Sequence, residues 1–165
     1  MAGFIWWFFV KKDLLIFLIK LIPLTLVLGY FWFTSWQVRY PDWLDPVALP
    51  FFRLVGVKRW WLALVVEHFT NIIPYIALVL SVPDHIKAWK RGLLALFGGC
   101  AVIILGHLII SWAVYYFNLD YGMSKSFYRI ILPFYILNDA LPFVLWIAFY
   151  PHMLTRLFGI KVFEE

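Results

Sequence analysis

The sequence predicts an all-α, polytopic membrane protein with four transmembrane helices and short interfacial segments. Three observations predict it. The 165 residues are 65% hydrophobic and only 14% charged, against about 25% charged in a typical soluble domain. The mean hydropathy is +0.88. The apolar residues fall into runs of twenty or more, the length a helix needs at about 1.5 Å per residue to cross a bilayer core of about 30 Å. Aromatic residues make up 22% of the chain, with ten Trp, as suits a protein that meets two membrane interfaces. The net charge of +5 resides in short Lys/Arg clusters between apolar runs. That is a loop pattern and not a nucleic-acid surface.

The N-terminal stretch Gly3–Val10 is apolar and is followed by Lys11-Lys12-Asp13. Its charges come after the apolar residues and no small-residue cleavage site follows, so it does not read as a cleavable signal. Residues 3–13 are expected to lie in the interface, with Trp6 and Trp7 in the headgroup region. The first span is expected over 14–36, with Lys20 close enough to its start to snorkel. Residues 37–59 form the largest extramembrane piece and carry Arg39, Asp42, Asp45, Arg53, Lys58 and Arg59 together with Pro41, Pro46 and Pro50. Within them, Asp45-Pro46 reads as an N-cap followed by proline at the first helical position. Val47–Val57 then follows as a short helix lying on the membrane.

The second span is expected over 60–82, the third over 92–117 and the fourth over 130–150, all within a single domain, 1–165. Lys11, Lys12, Lys87, Lys90, Arg91, Arg156, Lys161 and the nearby Lys20 share one side. Arg39, Arg53, Lys58, Arg59, Lys125 and Arg129 share the other. The compact Lys87–Arg91 loop tips the orientation toward cytoplasmic termini, as expected for a bacterial inner-membrane protein. The single cysteine, Cys100, cannot form an internal disulfide. It argues against a thiol-oxidising quinone enzyme of the four-helix type.

Polar residues recur inside these spans at similar depth. His68 lies about 12 Å below Trp60, His107 about 15 Å below Phe117, and Asp139 about 13 Å below Ile130, at the helical rise. Glu67 and Asn71 are i, i+4; His68, Asn71 and Tyr75 are i, i+3, i+7; His107 and Ser111 are i, i+4, as are Tyr135 and Asp139, with Asn138 alongside. Each set occupies one helical face. Glu67, His68, Asn71, His107, Ser111, Asn138 and Asp139 are therefore expected to converge between spans two, three and four. Pro74, Pro133 and Pro142 are expected to free carbonyls near these stripes.

Such a cluster has several readings. It is a structural network, since interhelical hydrogen bonds of about 0.6–2 kcal/mol hold small bundles together. Or it is a site: His68 and His107 ligating a haem b, histidine and carboxylates holding a metal, or a quinone, lipid or proton site. No phosphate-cradling glycine loop, nucleophile elbow or HExxH helix is present in the sequence.

Several segments resemble the small membrane proteins encoded beside bacterial exosortases. They are Ile22-Pro23-Leu24 leading to Tyr30-Phe31-Trp32, Ile73-Pro74-Tyr75-Ile76-Ala77-Leu78, Lys90-Arg91-Gly92-Leu93-Leu94, and Leu141-Pro142-Phe143-Val144-Leu145-Trp146. They span about half the chain, and the outer loop is short for that group. The resemblance implies an accessory role beside a larger membrane machine and supplies no catalytic residues. The expected function is a non-catalytic accessory or assembly subunit of a larger membrane complex, in contact with bound lipid. The alternative is a redox membrane anchor holding haem b or quinone at His68 and His107.

Overall fold

The computed structural model describes residues 2–57, 69–83, 89–121 and 124–159. Every regular element among them is helical. They are α1 (Ala2–Phe31), a π turn (Trp32–Trp36), α2 (Gln37–Leu54), α3 (Ile72–Ser81), α4 (Trp89–Tyr121), α5 (Lys125–Phe149) and α6 (His152–Phe158). Three helical stretches are long and apolar enough to cross a membrane: Lys12–Leu54, Trp89–Asn118 and Lys125–Phe149. Of the span expected over 60–82, residues 60–68 lie outside the described residues. In the remainder, 69–82, the only helix is α3, whose ten residues rise only about 15 Å, half of a bilayer core.

Two expectations for the first third of the chain are corrected. Residues 3–13 do not form a separate interfacial segment, because α1 runs through them into the first span. Asp45 does not cap a new helix, because α2 is already helical from Gln37 and carries Pro41, Pro46 and Pro50 inside it. Each proline removes one i→i−4 hydrogen bond. What holds α2 helical across them is an apolar stripe at a spacing of four, the buried Tyr40, Leu44, Ala48 and Phe52.

The π turn joins α1 to α2 with the correct face inward. Within it, the Gln37 N–H donates to the Trp32 carbonyl, five residues back. Eight regular α-helical steps from Trp32 would put Tyr40 about 80° round the helix. A π turn takes up one extra residue, so the two behave as if seven apart and fall within about 20° of each other. Their rings meet at 5.1 Å.

The core forms two clusters. One holds Trp32, Tyr40, Leu44, Phe52, Phe69 and Ile73 against Leu108–Val114 of α4 and Phe127 and Ile131 of α5. The other holds Phe17, Tyr75, Val79, Ile103, Trp146 and the α6 residues Met153 and Leu157. Ser124 starts α5 by accepting from the Phe127 N–H at 3.3 Å. Gly159 ends α6 at φ 72°, a left-handed cap that glycine adopts without strain. The α6 helix is pinned to α1 by Arg156, whose Nε donates to Asp13 Oδ2 at 2.5 Å.

Gly99 sets the approach of α3 to α4. The Tyr75 hydroxyl donates to the Ala95 carbonyl at 2.5 Å, and a Cβ at Gly99 would overlap the Tyr75 ring. Gly99→Ala is expected to destabilise the bundle by about 1–3 kcal/mol, the usual cost of overpacking. At Gly98 an added Cβ meets only Phe149 Cζ, at 3.7 Å. Gly98→Ala is expected to be neutral or stabilising. Unfolding midpoints in mixed detergent micelles check both.

Candidate functional site

The polar centre starts from a proline. Pro142 is buried inside α5 and has no N–H to give the carbonyl four residues earlier, that of Asn138. In hydrocarbon no water replaces the missing donor. Asn71, at the N-terminus of α3, supplies it instead. Its Nδ2 donates to the Asn138 carbonyl at 2.7 Å.

That bond orders the others. A carbonyl only accepts, so the Asn71 amide must turn its Nδ2 to Asn138 and its Oδ1 the other way. The Oδ1 lies 2.7 Å from His107 Nε2, and an amide oxygen can only accept there. His107 Nε2 therefore carries a ring proton, and because a fully buried ring with no carboxylate beside it among the described residues stays neutral, Nδ1 is left with a lone pair. The Tyr40 hydroxyl lies 2.7 Å from Nδ1 and donates to it. The chain thus runs one way, from Tyr40 O–H through the His107 ring and the Asn71 amide to the Asn138 carbonyl. It ties α2, α4, α3 and α5 together with a neutral imidazole at its middle. The ring has no solvent exposure. Phe69 stacks on it at 4.0 Å with planes 8° apart, and Tyr40 meets it edge-on at 5.7 Å.

The other predicted residues fall as follows. Ser111 is buried and donates to the His107 carbonyl at 2.8 Å, within its own helix. The Asn138 side chain is buried beside this chain of bonds, with neither Oδ1 nor Nδ2 partnered among the described residues. Its Oδ1 lies 3.3 Å from where a Cβ on Gly106 would stand. It borders a cleft of about 130 Å³ lined also by Ile109, Ile110 and Phe134. Asp139 does not join the cluster. It is exposed, because one residue past Asn138 is about 100° further round α5. Glu67 and His68 lie outside the described residues. Among the described residues no group of three His, Cys, Asp or Glu is placed to hold a metal.

The sequence reading missed Tyr40, which fell in the charged, proline-bearing piece over 37–59. The i+4 stripe Tyr40-Leu44-Ala48-Phe52 was the signal that could have found it. A second cleft, of about 450 Å³, opens between α1 and the start of α3, lined by Thr25, Gly29, Trp32, Thr70, Ile73 and Pro74. No protein-family model, curated protein or solved structure matches the chain.

Two outcomes follow from the order of these bonds. Asn71→Ala orphans a carbonyl and an imidazole N–H and is expected to cost about 1–3 kcal/mol. In a Pro142→Ala background, the N–H that the substitution restores can serve the Asn138 carbonyl, so the same Asn71→Ala change is expected to cost less. A double-mutant cycle on unfolding free energies reads that coupling. Nitrogen-15 spectra of His107 are expected to show a protonated Nε2 and an unprotonated, hydrogen-bonded Nδ1.

Proposed function

We propose that this chain is a non-catalytic accessory or assembly subunit of a larger membrane complex. The observation that carries the reading is the state of His107. Both of its ring nitrogens are taken by protein groups, Tyr40 on one side and Asn71 on the other. The imidazole has no free lone pair for a metal and no exposed face, since Phe69 stacks on one side and the whole ring is buried. Its chemistry is that of an interhelical clasp. The outer faces of the spans expose large apolar side chains along their length, among them Leu26, Phe97, Ile136 and Phe143. Such faces suit lipid or the helices of a partner.

The same reading includes four crossings, the second made by residues 60–82. It places both termini in the cytoplasm of a bacterial inner membrane, on the distribution of Lys and Arg. The resemblance to exosortase-associated proteins agrees with a helper beside a larger machine.

The redox-anchor reading demands a specific exchange. Iron at His107 would have to displace Tyr40 from Nδ1, or displace Asn71 from Nε2 together with the proton it accepts. A quinone would have to displace one of the same two partners. Purification of a tagged chain from its own membranes in mild detergent tests the two readings together. The expected result is a stoichiometric larger partner and a featureless reduced-minus-oxidised spectrum. A haem α-band that disappears in His107→Ala would overturn the accessory reading in favour of the redox anchor.

A further inference from the structure

Within residues 14–36, 72–81, 92–117 and 130–149 the chain carries two formal charges, Lys20 and Asp139. They have opposite sign and lie on different helices, α1 and α5. Both side chains are exposed, and neither belongs to an ion pair among the described residues, where Arg156 pairs with Asp13. A charge at a span centre costs about 2.5–3.5 kcal/mol on insertion scales. Asp139 is about 15 Å from the end of α5 at Phe149, beyond the reach of its short side chain to either interface.

The surroundings of each charge are those of a helix–helix seam. Asp139 shares its face with Leu132, Ile136 and Phe143, at spacings of 4, 3 and 4, and all three are exposed. Lys20 shares its face with Val27 and Phe31, also exposed. Repeats of three and four on one helix face are the pattern that packs against another helix.

The depths also agree. Phe17 and Trp146 meet at 5.7 Å in one core cluster. Trp32, just past the end of α1, belongs to the other cluster with Ile131, near the start of α5. The two helices thus run in opposite directions, and the Phe17–Trp146 contact sets their relative level. Lys20 is level with residue 143, four residues or about 6 Å from the level of Asp139. A lysine stem covers that distance along an apolar surface.

We propose that a second copy of this chain covers the Asp139 face of α5, with Lys20 of one copy paired to Asp139 of the other. A bilayer holds two copies at one depth, so the 6 Å offset is the same at every contact. In a closed assembly, two-fold or ring, each copy uses one lysine and one aspartate. The two unpaired charges of α1 and α5 within these ranges then neutralise each other.

The test keeps both charges in place first. Val27 and Ile136 lie at matching levels beside Lys20 and Asp139. In a Cys100→Ser background, copies carrying Val27→Cys are mixed with copies carrying Ile136→Cys in bilayers, so that any disulfide between the two sites joins different copies. Crosslinking is expected, and its absence would overturn the proposal. Charge variants then read the pair. Asp139→Asn and Lys20→Asp are each expected to weaken association on the order of a hundredfold, as for an ion pair that loses one partner. Lys20→Arg is expected to retain it. Lys20→Asp copies mixed with Asp139→Lys copies are expected to associate again, because both contacts between unlike copies bring opposite charges together. Association unchanged in Asp139→Asn would overturn the proposal. So would a wild-type chain that stays monomeric while Asp139 is needed to hold a different, basic transmembrane helix. Neither result bears on whether the chain serves a larger complex, which partner purification reads separately.

Discussion

One carbonyl without a donor in its own helix organises the centre of this protein. Pro142 leaves the Asn138 oxygen bare, and hydrocarbon offers nothing in exchange. Asn71 answers it from α3 and thereby fixes the orientation of its own amide. The amide sets the tautomer of His107, and the tautomer makes Nδ1 the acceptor for Tyr40. A defect in the backbone of one helix thus determines where three others stand. The cost of the proline is offset by a directional chain of short bonds between helices, each stronger for being out of water.

The same centre shows how polar residues in a membrane divide between two uses. Asn71, His107 and Ser111 satisfy one another or a nearby carbonyl and disappear into the core. Asp139, adjacent in sequence to a buried member of the cluster, stands on the outside. A single helical step separates a side chain buried inside the bundle from one that faces whatever surrounds it.

Much of this was legible in the sequence. The all-helical class follows from run length alone. Of the four spans expected, those over 92–117 and 130–150 differ from the observed helices by only a few residues at their ends, while the first runs on to Leu54. Asn71, His107 and Asn138 were expected to meet, and a freed carbonyl near Pro142 was expected as well. Both expectations rest on helical spacing and on the chemistry of proline, which are local. Asp139 was misplaced because its expected depth said nothing of its direction, which is outward. Depth is counted along a helix, whereas direction depends on which face the neighbouring helices take. Tyr40 was missed for a different reason. Three prolines argue locally against a helix, and only the burial of a stripe against α4 and α5 outweighs them. That burial is tertiary and leaves its trace only in the spacing of four.

The π turn at Trp32–Trp36 has a consequence for how the chain tolerates changes in length. It absorbs one residue more than an α-helix needs to keep Trp32 and Tyr40 on one face. A chain shorter by one residue there would join α1 and α2 as a regular helix, with the tyrosine still facing the histidine. A chain shorter by one residue between Tyr40 and Leu44 would swing the rest of α2 by about 100° and carry Leu44, Ala48 and Phe52 off the buried face. The two deletions differ by a few positions in sequence, yet one is absorbed as slack and the other is not.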